Sequence, residues 1–331
     1  MKAQVIERYG GPEVFEERDV DRPEARAGHV LIRVEATSVN PVDYKIRAGS
    51  VPAGSEFPAI LHGDVAGVVE EVGEGVVSFS PGDEVYGCAG GFAGMEGGAS
   101  AEYLLADADL LAKKPETLTM REAAALPLVS ITAWEILIGR ADVRPGQNVL
   151  VHGATGGVGH VAIQIARAAG ATVFATGSSD EKLRIARELG ADVGINYRER
   201  SVEDYVAEYA GGRGFDVVFD TIGGENLTRS FEAARPEGKV ASIATHETYD
   251  LSPLHDKSLS LHVVLMLIPL VSGEGRARHG EILTRLTRMV DAGRVKPLLD
   301  ETRFGLFEAA DAHRRLESGD ALGKVTLARG E

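Results

Sequence analysis

The glycines at positions 153, 156 and 159, which directly succeed the apolar segment 148–152, are the first feature of this chain that could bind a ligand. Glycine permits a sharp turn and a close approach of the backbone to a ligand, and the N–H groups at the start of a helix favour a phosphate. The next residues predict such a helix, because apolar residues recur at the 3.6-residue period over 158–169. The spacing Gly153-x-x-Gly156-x-x-Gly159 differs from the strict G-x-G-x-x-G pattern, so it indicates a pyrophosphate-binding turn only in combination with the strand beyond that helix.

The tip of the next predicted strand, residues 171–176, lacks the acidic residue that is usual in an NAD site. Its sequence is Thr176-Gly177-Ser178-Ser179, and Lys182 is close behind. A carboxylate at this tip would bind the ribose 2′-hydroxyl and repel a 2′-phosphate, whereas hydroxyls and a cation accept the phosphate. The tip therefore predicts NADPH over NADH.

Two structural interpretations of the same tip remain open. Asp180 is the only acidic competitor, and it begins the following helix, where a negative charge is expected without any ligand. Ser178 and Glu181 have capping-box spacing, so Ser178 could simply cap that helix.

Composition argues against several classes of function. The 331 residues carry a formal net charge of −15, and 44% of them are hydrophobic, which allows a sizeable core. The negative charge argues against nucleic-acid and anionic-membrane partners, which require clustered cations. Cys88 is the only cysteine, so neither an intrachain disulfide nor a cysteine-rich zinc lobe is expected. The chain starts without a signal-peptide pattern, and its longest apolar stretch, 263–271, is too short to span a bilayer, so we expect a cytoplasmic protein.

The pattern of strands and helices changes along the chain. Residues 1–120 read as short strands separated by glycine and proline, which predicts a β-rich domain. After residue 120 strands alternate with helices, and this predicts an α/β fold with a doubly wound parallel sheet. The strands of that part are expected near 148–152, 171–176, 193–195, 215–219 and 239–244, followed by an apolar strand over 260–268 and a helix over 280–292.

Further blocks of sequence carry a family resemblance. They lie at 38–49 (SVNPVDYKIRAG), at 57–69 (FPAILHGDVAGVV), at 81–86 (PGDEVY) and in the closing Gly323-Lys324-Val325. Together with the glycine turn, they resemble the medium-chain dehydrogenase/reductase superfamily, and within it the zinc-independent quinone oxidoreductase (zeta-crystallin-like) branch. The resemblance implies a GroES-like substrate domain over 1–122, a Rossmann NADPH-binding domain over 123–260, and a bridging strand and return to the first domain over 261–331. It also implies an active site in the cleft between the domains.

Some members of the superfamily hold a catalytic zinc, and this chain departs from them at the ligand positions. Asn40 stands where their first ligand is a cysteine, and their Gly-His-Glu triplet reads His62-Gly63-Asp64 here, which puts a glycine at the second ligand position. No cysteine lies near 129–132 to supply the third. We therefore expect no metal, and we expect His62 to be a hydrogen-bonded histidine beside a turn.

A hydride carrier suffices without a metal when the acceptor is already electrophilic, as a quinone or an α,β-unsaturated carbonyl is. Negative charge then develops on the acceptor's oxygen, and preorganised N–H or O–H donors stabilise it. By resemblance, Asn40, Tyr44 and Lys45 are the candidate catalytic donors. Structural alternatives stay open, because Asn40-Pro41 is also a turn signal, Asp43 could only lock the local backbone and Lys45 could be a surface charge.

The resemblance also implies the cofactor contacts and the assembly. The contacts are Asn40, Thr132, Gly156, Gly157, Val158, Ser178, Ser179, Lys182, Tyr197, Ala244, Thr245, Gly323 and Lys324. Tyr197 could equally be an ordinary half-buried tyrosine at a strand end. The apolar segment 261–270 would be the last strand of its sheet, and such an edge predicts pairing with a second subunit in a homodimer.

The sequence therefore predicts an NADPH-dependent, zinc-independent oxidoreductase of a small quinone or α,β-unsaturated carbonyl. Two alternatives remain: an enoyl or alkenal reductase without quinone activity, and a non-catalytic NADPH-binding protein of the same fold.

Overall fold

Two units make up the chain in the computed structural model, which describes residues 1–51 and 57–330. The first unit comprises Met1–Ile131, Met266–Gly293 and Pro297–Glu331, and the second comprises Thr132–Leu265 and Arg294–Lys296. The domain limits expected from the sequence, 1–122, 123–260 and 261–331, stay a prediction.

The bounds of the strands and helices are these. The strands are β1 Lys2–Ile6, β2 Phe15–Asp19, β3 His29–Val39, β4 Ala59–Ile60, β5 Asp64–Val72, β6 Glu84–Cys88, β7 Tyr103–Asp107, β8 Leu111–Lys113, β9 Asn148–Val151, β10 Thr172–Gly177, β11 Val193–Asn196, β12 Phe215–Asp220, β13 Ala234–Ser242, β14 Ser260–Val263, β15 Phe304–Gly305 and β16 Val325–Ala328. The α-helices are α1 Pro41–Arg47, α2 Met120–Ala124, α3 Pro127–Trp134, α4 Gly157–Ala168, α5 Asp180–Glu188, α6 Val202–Tyr209, α7 Glu225–Ala233, α8 Ser252–Asp256, α9 Ile268–Ser272, α10 Ala277–Asp291 and α11 Ala309–Glu317.

The second unit contains a parallel sheet in the order β11-β10-β9-β12-β13-β14. β9 lies in its middle, and Val149, Leu150 and Val151 are fully buried, as expected for a strand covered on both faces. The chain runs outward from β9 to β10 and β11, and β12 then returns to the other side of β9. This reversal beside β9 confirms the predicted doubly wound sheet and places a ligand crevice at the carboxyl ends of the strands.

The first unit is rich in strands, as predicted, and most of its strand pairs are antiparallel. Its larger sheet has the order β15-β16-β3-β5-β6-β8, with β7 also on β3, and its smaller sheet has the order β2-β1-β4. Val325 at the start of β16 lies opposite Val39 at the end of β3, and Thr37 lies opposite Val65 near the start of β5. The pairing therefore brings Asn40, Asp64 and Lys324 to one end of the sheet.

One predicted strand is much shorter than expected. The apolar segment 260–268 is a strand only over Ser260–Val263, and α9 begins at Ile268. Pro269 explains why the end of the segment is helical, because proline cannot donate to a strand ladder and its fixed φ suits the first turn of a helix. β14 is nevertheless the last strand of its sheet, as predicted, and Val263 and Leu265 are exposed by 47% and 56%.

Among residues 1–51 and 57–330, no helix has both the length and the apolar character needed to cross a membrane.

Candidate active site

The glycine turn has the geometry that its sequence predicts. β9 ends at Val151, and α4 begins at Gly157 with Gly156 as its N-cap. Gly153 has a φ of +71°, and a Cβ on Gly159 would lie 2.1 Å from the carbonyl oxygen of Gly153. A side chain at either position would therefore strain or displace the turn.

The first turn of α4 leaves backbone donors for an anion. Helix N–H groups in this turn have no partner within the helix, and they lie at the positive end of the helix dipole. The Gly156 N–H, however, donates to the carbonyl oxygen of Gly153 at 2.9 Å. Three N–H groups were expected to donate to the pyrophosphate. Among the described residues, those of Gly157 and Val158 therefore remain as the donors in the first turn of α4.

The structure at the tip of β10 shows which serine caps the following helix. The N-cap of α5 is Ser179, whose Oγ accepts the N–H of Lys182 at 3.4 Å, so the interpretation of Ser178 as the cap is wrong by one residue. The reason is that β10 continues through Gly177, which moves the start of the helix along the chain. Asp180 lies in the first turn of α5, as its structural interpretation predicts. Within the described part of the chain, no ion pair engages the ammonium of Lys182, which is half-buried.

Tyr197 lies beside this tip. Its backbone N–H donates to the carbonyl oxygen of Gly177 at 3.2 Å, because β11 runs parallel to β10 and ends one residue before Tyr197. The side chain of Tyr197 is 45% exposed. The structure therefore places Tyr197 beside Gly177, the residue that precedes Ser178 and Ser179, at the carboxyl edge of the sheet.

The loops after β12 and β13 meet next to the glycine turn. A Cβ on Gly223 would lie 2.4 Å from the carbonyl oxygen of Ala244, so Ala244 lies close against the loop after β12, and Thr245 is the next residue along the chain. Thr132, the remaining cofactor candidate of this unit, lies in α3 and is 5% exposed.

Sequence reasoning missed two polar residues at the strand ends, His152 and Asp220. His152 Nδ1 is 3.0 Å from Thr176 Oγ1, and burial lowers the pKa of His152 to about 4, so its ring is neutral at pH 7. Asp220 is fully buried and accepts N–H groups from Ile222 and Gly223. Asp220 thus orders the turn after β12, while His152 contacts the end of β10. The signal for both is a polar residue at the end of a buried apolar strand.

In the first unit, Asn40 lies at the centre of a buried polar network. It is 1% exposed and is the N-cap of α1. Its Nδ2 donates to Asp64 Oδ2 at 2.8 Å, and its Oδ1 accepts a hydrogen bond from the ammonium of Lys324 at 2.5 Å. Because an ammonium only donates and a carboxylate only accepts, these two partners determine which way the amide faces.

Asp64 is the anion of this network. Its carboxylate accepts Ser38 Oγ at 2.7 Å and the N–H of Leu128 at 2.8 Å, and it lies 3.6 Å from the ammonium of Lys324. The Lys324 side chain, predicted at the cofactor, is thus engaged in the buried network, and burial lowers its pKa while Asp64 opposes that shift. We call Asn40, Asp64 and Lys324 the buried network.

Asp43 has the local role that its structural alternative predicts. It is fully buried, and its Oδ2 accepts the backbone N–H of Asn40 at 2.7 Å. Burial raises the pKa of Asp43 to about 7, and the other oxygen, Oδ1, has no partner in the described residues. The next two residues are more open: Tyr44 is half-buried and Lys45 is exposed.

The residues present do not fit a catalytic zinc. Glycine stands at the second ligand position, and a Cβ on Gly63 would lie 2.2 Å from the ring of Phe92 and 3.1 Å from Cys88 Sγ, so a side chain there would have to displace the Phe92 ring. His62 is fully buried, and its Nε2 is 2.9 Å from Nε2 of His313, as expected for a hydrogen-bonded histidine. In the chain as described, no three or more His, Cys, Asp or Glu side chains form a group that could hold a metal.

Comparisons with known proteins identify the family of this chain. The alcohol dehydrogenase GroES-like domain matches residues 26–116, and the zinc-binding dehydrogenase domain matches residues 157–269. Quinone oxidoreductase from Homo sapiens is 32% identical over 99% of this chain and 97% of its own length. NADPH-dependent alkenal/one oxidoreductase, chloroplastic, from Arabidopsis thaliana is 36% identical over 99% of this chain and 79% of its own length.

A solved structure covers the whole fold. An alcohol dehydrogenase superfamily protein from Novosphingobium aromaticivorans superposes with a TM-score of 0.94 at 44% identity, over 99% of each chain. With the full-length matches and both domains in order, the chain belongs to the medium-chain dehydrogenase/reductase superfamily, in its quinone oxidoreductase branch.

Proposed function

We propose that this chain is an NADPH-dependent oxidoreductase that reduces a quinone or an α,β-unsaturated carbonyl without a metal ion. The observation that carries the proposal is the buried network, in which Asn40 and Lys324 occupy the polar end of the sheet. The second zinc-ligand position next to it is a glycine, Gly63, which has no side chain to bind a metal. The full-length likeness to proteins named quinone oxidoreductase and alkenal/one oxidoreductase supports the same reaction class.

The second unit fits NADPH at both ends of a dinucleotide. Gly153 and Gly159 form a close backbone turn that a side chain would fill, and the first turn of α4 offers N–H groups to a pyrophosphate. At the β10 tip, the hydroxyls of Ser178 and Ser179 and the ammonium of Lys182 would hold the 2′-phosphate. The proposed contacts of this unit also include Tyr197, Thr132, Ala244 and Thr245.

When bound, NADPH supplies the hydride. The protein's own task is to stabilise the negative charge that develops on the acceptor's oxygen. The Asn40 amide has two Nδ2–H bonds, and Asp64 accepts one of them, so we assign the other to the acceptor. Burial raises the pKa of Tyr44, so its hydroxyl stays protonated and can donate at neutral pH, and Lys45 offers a second, exposed donor.

Solvent would supply the proton that completes the reduction. We infer this because Asp43, the one buried carboxyl group of this segment with a pKa near neutrality, directs its accepting oxygen to the backbone of Asn40.

A homodimer and a cytoplasmic location form part of the proposal. An edge strand with exposed apolar residues is stabilised when a second copy pairs with it, and β14 has exposed Val263 and is followed by exposed Leu265. Cys88, the only cysteine of the sequence, is free and buried, which suits a reducing compartment.

A panel assay tests the reaction. Purified protein is mixed with NADPH and, in turn, with 1,4-quinones, alkenals and cyclic enones, and the absorbance of NADPH is monitored. Oxidation with quinones and enones supports the proposal, and oxidation with enones alone identifies an alkenal reductase. Tight NADPH binding without oxidation by any acceptor would contradict the proposal and favour a non-catalytic NADPH-binding protein.

A further inference from the structure

Lys324 and Asp64 form an ion pair that stability does not explain. Lys324 is 3% exposed and Asp64 is fully buried, and their charged atoms are 3.6 Å apart. Removing two charges from water has a penalty that often exceeds their attraction, so a buried ion pair is weak support for a fold. Replacing a buried ion pair by apolar residues of similar volume often leaves stability unchanged or raises it.

The backbone around Lys324 is fixed on both sides. The Lys324 N–H donates to the carbonyl oxygen of Leu298 at 2.9 Å, and the Lys324 carbonyl accepts the N–H of Asp300 at 2.9 Å. The preceding Gly323 has a φ of +72°, and a Cβ there would lie 2.2 Å from the carbonyl oxygen of Leu298. The Lys324 side chain therefore extends from a backbone segment that is held in place on both sides.

The ammonium is directed at the residue that ends β3. Besides Asp64, it donates to the carbonyl oxygen of Val39 at 3.1 Å and to Oδ1 of Asn40. These contacts fix the backbone before Asn40 and one end of its amide, while Asp64 fixes the other end. Without the ammonium, Oδ1 of Asn40 would lose its buried donor and the charge of Asp64 would be uncompensated.

We propose that Lys324 is a positioning residue for the reduction, whose buried ammonium holds the Asn40 amide in the orientation that leaves one Nδ2–H for the acceptor. This inference rests on the proposed function. It assigns to Lys324 an action through Asn40 rather than a contact with substrate or cofactor.

A double-mutant cycle tests the assignment. Lys324→Met is expected to lower kcat by about 10- to 100-fold in the wild-type background, the range for loss of one preorganised donor. In the Asn40→Ala background the same substitution is expected to change kcat by less than about twofold, because its target is already gone. The proposal would be overturned if Lys324→Met lowered kcat by the same factor in both backgrounds. It would also be overturned if Asn40→Ala left kcat unchanged.

Lys114→Met is the matched control. The Lys114 side chain is also buried, at 5% exposure, and donates to the carbonyl oxygens of Pro115 and Leu118 in the same unit. Its substitution is expected to lower the melting temperature and leave kcat unchanged. If Lys324→Met fails to fold, the Asp64→Asn, Lys324→Met pair removes both charges together, and kcat is expected to stay low in the folded protein.

Proton exchange gives a readout that does not depend on turnover. In the wild-type protein, selectively labelled Asn40 is expected to show slow exchange of its Nδ2 protons by NMR, and Lys324→Met is expected to accelerate it by about 10-fold or more. Unchanged exchange would contradict the role of Lys324 even if the enzyme is active. If the wild-type protein oxidises no NADPH with any acceptor, the proposed function fails, and the exchange data still decide whether Lys324 orders Asn40.

Discussion

Asp43 gives the sharpest test of the buried end of the first unit. Its carboxyl group is fully buried and accepts a hydrogen bond from the N–H of Asn40. The negative charge of Asp64 raises the pKa of Asp43, and the positive charge of Lys324 lowers it. Burial is the largest effect and moves the pKa from 3.8 to about 7. Asparagine has the same shape and can accept the same N–H, but it has no charge to bury. We therefore predict that Asp43→Asn changes how stability depends on pH.

The sign is set by proton binding. Between pH 4 and 7 the folded protein keeps a proton on Asp43 that the unfolded chain has lost, so the contribution of Asp43 to stability falls as pH rises through this window. Each pH unit corresponds to about 1.36 kcal/mol, and a pKa that rises from 3.8 to about 7 on folding gives up to about 4 kcal/mol. The wild-type protein thus loses up to about 4 kcal/mol relative to Asp43→Asn on going from pH 4 to pH 8.

Urea unfolding at a series of pH values from 4 to 9 measures this difference. Subtracting the two proteins at each pH cancels the titration of all groups that the substitution leaves alone. Asp83→Asn is the control, because Asp83 is only partly buried and its pKa is lowered by the N–H of Ser80. The stability difference between wild type and Asp83→Asn is therefore expected to be flat above pH 5. A difference between wild type and Asp43→Asn that does not vary with pH would refute the reasoning.

Four further predictions concern the turn, the β10 tip, the absent metal and the edge strand. Gly159→Ala puts a Cβ 2.1 Å from a backbone oxygen, so NADPH affinity in a fluorescence titration should fall by about 10-fold or more. Lys182→Met should weaken NADPH by about 10- to 100-fold and leave NADH unchanged, whereas Arg184→Met on the same helix should alter neither; equal losses for both nucleotides would remove Lys182 from the phosphate site. Gly63→His should lower the melting temperature without creating stoichiometric zinc binding, as measured by elemental analysis. Leu265→Asp should convert a dimer to a monomer in light scattering, and an unchanged mass would place the dimer contact elsewhere.

The second unit was the part of the fold most open to sequence reasoning. A buried parallel strand reads as a short apolar run, and the glycines after β9 can serve only a turn that is too tight for side chains, so both the strand and the start of α4 were predictable. Helix ends were less certain. The sequence suggested Ser178 as the N-cap of α5, and the structure has Ser179. The length of β10 depends on its pairing with β11, which no local sequence pattern specifies.

Local sequence patterns also failed to predict the whole structure of the segment after β13. Its apolar residues suit a buried strand or a short helix equally well, and the sequence indicated a strand over 260–268. Pro269 was the local signal for a change of structure, and it outweighed the apolar run.

The buried network was beyond sequence reasoning for a different reason. Asn40 and Lys324 are 284 residues apart, and only the pairing of β16 with β3 brings them into contact. The sequence did predict that no zinc ligand stands at 40 or 63. It could not predict that a lysine and an aspartate would meet there, because charge pairs between distant strands leave no periodic pattern.

Metal-free reduction by NADPH is the central claim, and chelation tests it most directly. The protein is dialysed exhaustively against a strong chelator, its zinc is quantified, and kcat/KM for NADPH oxidation by an accepted quinone or enone is measured before and after. The buried network and the crowded position 63 predict substoichiometric zinc and an unchanged kcat/KM. Loss of activity on chelation that added zinc restores would contradict the account.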